Sequence, residues 1–257
     1  MDLGLKDKVI IVTGASRGIG RAIAETLAAE GAKLVLTART KQQLKEVANV
    51  CGSETLIIPM DLRDEKAPQI MIETALARFG RIDGIVNNAG ATKRGDFLEL
   101  SEGDWYDGFA LKFFGGMRCS RAAWTHLKAS QGSIVNIVGI AGKTGNADFA
   151  IGGSVNSAIL NLTKVLADKG MSDSVRVNAV NPGSIATERL QTQIMAFASQ
   201  HNVDNDSATQ SLVKKLGINR FGEPEEIAKV VTFLLSPAAS YLNGSIIDVD
   251  GGQTRTL

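Results

Sequence analysis

Between an apolar run, Val9-Ile10-Ile11-Val12, and an amphipathic stretch lies Thr13-Gly14-Ala15-Ser16-Arg17-Gly18-Ile19-Gly20. Three glycines at this spacing, at a strand-to-helix junction, can bind phosphate through the main chain. Gly14 allows the tight turn, and Gly18 lets the backbone approach a pyrophosphate. Gly20 lets helix and strand pack closely, with the helix N-terminus facing the anion. Ser16 and Ile19 complete the loop. A second β-branched run ends Leu36-Thr37-Ala38-Arg39. A site built for a free ribose 2′-hydroxyl carries an acid at this point. Here that position is Ala38, followed by Arg39, with Arg17 in the glycine loop. Two guanidinium groups suit a 2′-phosphate, so the expected cofactor is NADP(H) rather than NAD(H).

These residues need a scaffold, and the pattern of the chain supplies one. Short apolar runs read as strands at Val9–Val12, Lys33–Thr37, Leu56–Ile58, Gly84–Val86, Ser133–Val138, Val175–Val180 and Ile246–Val249. Helical patterns separate them, over Ile19–Ala29, Lys41–Val50, Asp64–Arg78, Glu102–Lys128, Ser154–Asp168 and Pro224–Leu235. Strands apolar on both faces, each followed by a helix, imply a parallel sheet covered on both sides. Right-handed crossovers give an α/β fold of Rossmann type, a single doubly wound sheet of about seven strands. One such domain is expected over residues 1–257. Residues 188–217 break the rhythm with a polar stretch, read as a mobile insertion serving as a substrate lid, with a plain surface excursion as the alternative.

Several further segments resemble the short-chain dehydrogenase/reductase family, over nearly the whole chain. The glycine spacing is the family's. Asp61, in Met60-Asp61-Leu62, looks like the aspartate that bonds the adenine amino group. Asn87-Asn88-Ala89-Gly90 resembles the fourth-strand signature. Asn181-Pro182-Gly183-Ser184-Ile185-Ala186-Thr187 resembles the segment that contacts the nicotinamide amide and phosphate, and Asn243 to Gly252 the closing strand. The resemblance implies cofactor contacts from Gly14, Ser16, Arg17, Gly18, Ile19, Gly20, Arg39, Asp61, Leu62, Asn88, Ala89, Gly90, Pro182, Gly183, Ile185 and Thr187.

The family's proton chemistry depends on Tyr-x-x-x-Lys, with a Ser on the preceding strand and an Asn on an earlier helix. The matching positions here hold Gly152, Asn156, Gly139 and Lys112. The chain has two tyrosines, Tyr106 and Tyr241, and neither lies near Gly152 in sequence. Asn and Lys have in effect traded helices, so Lys112 and Asn156 are the candidate catalytic pair. Lys112 could hold the nicotinamide ribose, fix a carboxylate, or act as acid or base. The bland reading has it solvated, or merely bonded to Asn156. Gly152-Gly153 is expected at a helix start beside a Ser154 cap, leaving open the space of the absent ring. Lys93 and Arg94, after Gly90, are expected at the pocket mouth, where they favour an anionic ligand or form an ordinary charged loop. Asp148 ranks below Lys112.

Bulk properties narrow the partners. The net charge of +1 gives no global field for nucleic acid or an anionic membrane. No apolar run approaches the roughly 18 residues of a membrane span, and the N-terminal residues lack a signal-peptide stretch. Cys51 and Cys119 read as buried thiols of a reducing cytoplasm, and His126 and His201 as surface residues, with no metal spacing. The partner expected is a small-molecule substrate, anionic ones included. The resemblance implies a homotetramer or homodimer, and the apolar Val155, Ile159, Leu162, Val165 and Leu166 with Trp105, Phe109 and Phe113 suit either that or core packing. The reading is an NADP(H)-dependent oxidoreductase on a hydroxyl or carbonyl compound, with Lys112 in place of the Tyr-centred relay. The alternatives are a non-redox lyase, hydratase or isomerase, and a catalytically silent NADP(H) sensor.

Overall fold

The computed structural model describes residues 2–255. Seven parallel strands form one sheet: β1 (Val9–Thr13), β2 (Lys33–Ala38), β3 (Thr55–Pro59), β4 (Gly84–Asn87), β5 (Ser133–Ile137), β6 (Arg176–Pro182) and β7 (Ile246–Val249). Their order is β3-β2-β1-β4-β5-β6-β7. The direction of winding reverses between β1 and β4, where the crevice of a doubly wound sheet opens beyond the C-terminal strand ends.

Strand alternation feeds two cores. β1 sends Ile10 and Val12 to one and Val9 and Ile11 to the other. The first core lies beneath α1 (Gly18–Ala29), α2 (Lys41–Cys51) and α9 (Pro224–Leu235), through residues such as Ile23, Leu44 and Leu234. The second lies beneath α3 (Ala67–Phe79) and α5 (Gly116–Ser130), through Met71, Ile72, Cys119 and Leu127. A third cluster, Val138, Ile151, Val155 and Ile159, receives Trp105, Phe109 and Phe113. Most of the apolar residues expected at an oligomer face thus have core partners, while Val165 remains 55% exposed.

Three helical segments depart from the sequence expectation. The helix expected over Glu102–Lys128 is divided: α4 (Glu102–Gly108) leads into a π-helical stretch, Phe109–Gly115, and then into α5. The helix expected from Ser154 begins at Ala150 and runs to Asp173 as α6, so Ser154 is an exposed second-turn residue and not the cap. Residues 188–217 fold largely as two helices, α7 (Glu188–His201) and α8 (Asn205–Leu216). Asn202 closes α7 in the left-handed conformation, and the Asp204 side chain caps α8 by accepting from Ser207 N. Local capping chemistry, rather than a strong apolar stripe, makes this polar stretch helical. Only Ala198 and Ala208 of the pair are buried.

Candidate active site

The glycine loop is braced from behind. Asn88 Nδ2 donates to the carbonyls of Thr13 and Gly14 at 3.0 and 3.1 Å, and the backbone N–H groups of Asn88 and Ala89 donate to Thr13 Oγ1. Gly14 has φ +65°, which a side chain would strain. A Cβ on Gly20 would collide with the Gly14 carbonyl, and one on Gly18 would meet Thr187 Cγ2 at 3.3 Å. The loop is therefore a cradle of main-chain donors at the N-terminus of α1, with the room a pyrophosphate needs. These features fit a dinucleotide.

Other cofactor candidates are held in definite ways. Arg39 is exposed just beyond β2. Arg17 donates to Glu188 Oε2 at 3.2 Å, which links the loop to the start of α7. Asp61 accepts from Arg63 at 3.1 Å, and Arg63 also engages Asp107. Leu62 is buried, and a Cβ on Gly115 would meet its backbone carbonyl at 3.2 Å. Pro182 ends β6. Gly183 approaches Asp250 too closely to carry a Cβ, and buried Ile185 bridges to Gly222.

Lys112 lies in the π-helical stretch, whose extra residue per turn is a common device for redirecting a side chain at a functional position. Its stem runs past Gly90, where a Cβ would stand 2.9 Å from Lys112 Cγ and Cδ. Lys112 Nζ donates to Asn156 Oδ1 and to the Val138 carbonyl, each at 2.6 Å. An ammonium has three protons to donate. The third has no acceptor among the described residues. Desolvation, helped by the Arg189 charge, pushes the Lys112 pKa down to about 7. The reading of a freely solvated Lys112 is thereby corrected: it is partly buried and bonded inward.

The pair belongs to a longer polar chain. Buried Asn156 also donates to the Gly139 carbonyl at 3.5 Å, and Gly139 N donates to Asn181 Oδ1 at 3.3 Å. Asn181 Nδ2 donates to Asp248, which accepts a second bond from Lys143. Gly139 has φ +129°, and its Cβ would lie 3.0 Å from Asn156 Nδ2. A serine there would be strained and crowded. Below, Asn87 Nδ2 donates to Ser120 and Asn136, and Asn136 to Thr163, tying β4 and β5 to α5 and α6.

The open space expected beside Gly152 is filled. A Cβ on Gly152 would collide with the Phe149 ring, so the paired glycines make room for a phenyl group. The Arg94 guanidinium lies 4.0 Å from that ring's centre and the Arg189 guanidinium 6.0 Å. Lys93, by contrast, is not free at the mouth: it donates to Asp104 at 2.9 Å, an acid already held in the capping box of α4. Asp148 is exposed and contributes an attractive charge to Arg94. Tyr106 and Tyr241 are both exposed, at 72% and 102%.

A family model described as enoyl-(acyl carrier protein) reductase matches residues 14–254. The chain is 33% identical to meso-2,3-butanediol dehydrogenase of Serratia marcescens over 97% of its length and 96% of that protein. It is 35% identical to a 3-oxoacyl-[acyl-carrier-protein] reductase of Aquifex aeolicus, over 98% and 100% of the two chains. L-Sorbose reductase from Gluconobacter frateurii, solved with NADPH and L-sorbose, superposes with TM-score 0.96 at 32% identity, with both chains covered in full. The chain is a short-chain dehydrogenase/reductase. Within this short-chain dehydrogenase/reductase, sequence reasoning singled out neither Phe149 nor Arg189, which the structure brings beside Arg94. Phe149 carries a usable signal, since an aromatic residue three positions before a Gly-Gly pair can fold its ring over the bare backbone. Arg189 has a fainter one, a cation in the first turn of a helix, where the macrodipole disfavours it. Of the two free thiols, Cys119 is buried and Cys51 only partly so. Burial pushes their pKa values up to about 12 and about 11.

Proposed function

We propose that this short-chain dehydrogenase/reductase is an NADP(H)-dependent oxidoreductase of a small hydroxyl or carbonyl compound, with Lys112 as its proton donor and acceptor. The observation that carries the reading is the Lys112 ammonium, bonded to Asn156 and Val138 at 2.6 Å with one proton left over. The glycine loop would hold the pyrophosphate, Arg39 the 2′-phosphate, and the Pro182–Thr187 segment the nicotinamide end. A bound nicotinamide supplies the hydride chemistry. Asn156 and Val138 hold the Lys112 Nζ in place, and burial tunes it for exchange near neutral pH, where a general acid works best. Proton delivery to a substrate oxygen then comes from nitrogen, without a phenol. The α7–α8 pair serves as the substrate lid, with Glu188 and Arg189 at its root. The exposed Val165 and Phe114 support assembly as a homodimer or homotetramer, and the two free thiols suit a reducing cytoplasm.

The test is deuteride transfer from labelled NADPH to a panel of carbonyl compounds in single turnover. Lys112→Met is expected to lower the rate by roughly 10²–10⁴, the worth of a positioned general acid. In the unmodified protein, reduction should decline as pH rises through about 7, because the acid form of Lys112 is then lost. An unchanged rate in Lys112→Met defeats this mechanism. Turnover without any change in cofactor redox state would move the protein to lyase, hydratase or isomerase chemistry.

A further inference from the structure

Two arginines from separate segments beyond the C-terminal strand ends share one aromatic ring. Arg94 comes from the segment after β4, and Arg189 from the first turn of α7, beyond β6. Their guanidiniums lie 4.0 and 6.0 Å from the Phe149 ring centre, and that ring reaches its position because residue 152 has no side chain. Among the described residues, neither guanidinium has a carboxylate within ion-pair distance. Nearby acids are engaged elsewhere: Glu188 pairs with Arg17, and Asp104 with Lys93. Asp148 acts on Arg94 only at longer range.

Such a placement is unfavourable by itself. Each arginine is lowered in pKa by the surrounding protein, and Arg94 is lowered further by the charge of Arg189. Arg189 also sits near the positive end of the α7 dipole. Lys112 feels the same Arg189 charge. Three cations thus influence one another, and among the described residues only Asp148, at longer range, offsets the charge of Arg94. A carboxylate bonded by the guanidiniums would offset their mutual repulsion, because arginine binds carboxylate oxygens through directed, charge-assisted bonds.

We propose that Arg94 and Arg189, brought together at the Phe149 ring, form a binding site for the carboxylate of the substrate, whose carbon frame lies against that ring. The assignment of that carboxylate to the substrate rests on the oxidoreductase reading above, but carboxylate binding itself does not. The ligand class is a monocarboxylate that also carries a hydroxyl or carbonyl group. Its arrival places a negative charge near Lys112, which favours the protonated form of that residue. Charge recognition and proton supply are then coupled through one substrate group.

The test is calorimetric binding, free of any dependence on hydride transfer. Probes are acetate, 3-hydroxybutyrate, benzoate and mandelate, each against its neutral amide, with phenyl phosphate as a further arm, all with and without NADP⁺. At least one carboxylate is expected to bind about 10-fold or more tightly than its amide, as a charge-assisted pair allows. Arg94→Gln and Arg189→Gln should each remove most of that preference, and Arg189→Lys should keep part of it. Both arginines are exposed, so these variants should fold. Equal binding of acids and amides overturns the proposal, as does an acid preference that survives Arg94→Gln with Arg189→Gln. Arginine-dependent binding of phenyl phosphate alone overturns the carboxylate assignment. Carboxylate binding with no deuteride transfer to any carbonyl would keep this site and reject the redox reading.

Discussion

Around the glycine loop, nearly every contact is made by backbone or by a short side chain clamped to it: Thr13, Gly14 and Asn88 lie within 3.1 Å of one another through several bonds. Around Lys112, side chains from separate elements meet: a lysine from a π-helical turn, an asparagine from α6, and a phenyl ring with two guanidiniums near it. The first region is braced by backbone and short side-chain hydrogen bonds. The second is a set of side chains whose positions depend on one another and on charge. Phosphate binding needs the former. Residue types in the latter are free to change without disturbing the fold.

Two glycines allow that contrast to be broken or sharpened. A Cβ on Gly20 and one on Gly152 both collide, the first with the Gly14 carbonyl and the second with the Phe149 ring. The first obstacle is backbone and the second a rotatable side chain. Gly20→Ala is expected to abolish nucleotide binding and to lower stability by roughly 1–3 kcal/mol, the range for overpacking. Gly152→Ala should cost less than Gly20→Ala, since removing a flexible residue from α6 offsets part of the burial lost as the Phe149 ring turns out, and should shift substrate selectivity as well. Calorimetric unfolding with NADPH titration measures both. Equal losses of stability would mean that Phe149 is as fixed as the loop.

A smaller effect tests the charge balance. Asn156→Asp puts a carboxylate where the Lys112 ammonium now meets an amide at 2.6 Å. The lysine pKa, now about 7 against an ordinary 10.5, should rise by about 1–3 units, as a close opposite charge dictates. Reduction should then persist to correspondingly higher pH. Stability checks the sign independently. Folded Lys112 holds its proton less tightly than the unfolded chain, so between about 7 and 10.5 the unfolded state binds more protons and stability rises with pH. Raising the lysine pKa should flatten that slope. A pH–rate profile that does not move would show that another group controls the proton.

The same contrast explains what could be read from the sequence. The order of strands and helices follows from β-branched runs and glycine spacing, which are local, and the strands fall within two residues of their expected bounds at Val9, Lys33 and Ile246. The loop residues act through their own backbone, so their types and order describe their geometry. Lys112 with Asn156 could be anticipated only as a pair of exchanged residue types, and their bond needed the π-helical turn, which no local pattern announced. Lys93 and Arg94, adjacent in sequence, diverged because one found the α4 capping box and the other an aromatic ring. The Phe149 ring entered the gap at Gly152 because an apolar face buries itself wherever a side chain is missing.

The mildest effect probes the seam between the two regions. Arg17 and Arg39 were both expected to meet a 2′-phosphate, but the structure treats them differently. Arg17 pairs with Glu188 and so joins the glycine loop to the root of α7, while Arg39 is exposed at the end of β2 and contributes only a distant attraction to Asp107. An exposed ion pair has little net worth, so Arg17 can exchange Glu188 for phosphate at small cost and gains correspondingly little. Arg39 has no comparable partner to lose. Arg39→Ala is therefore expected to weaken NADPH binding by about 10-fold while NADH binding holds, and Arg17→Ala to reduce the NADPH/NADH ratio less. Because the Arg17–Glu188 pair also links the loop to the root of α7, its loss should slightly speed the release of bound carboxylates, an effect that Arg39→Ala should lack. A ratio unmoved by Arg39→Ala would remove the basis for NADP(H) preference. A release rate unmoved by Arg17→Ala would mean that the two regions are joined only through the sheet.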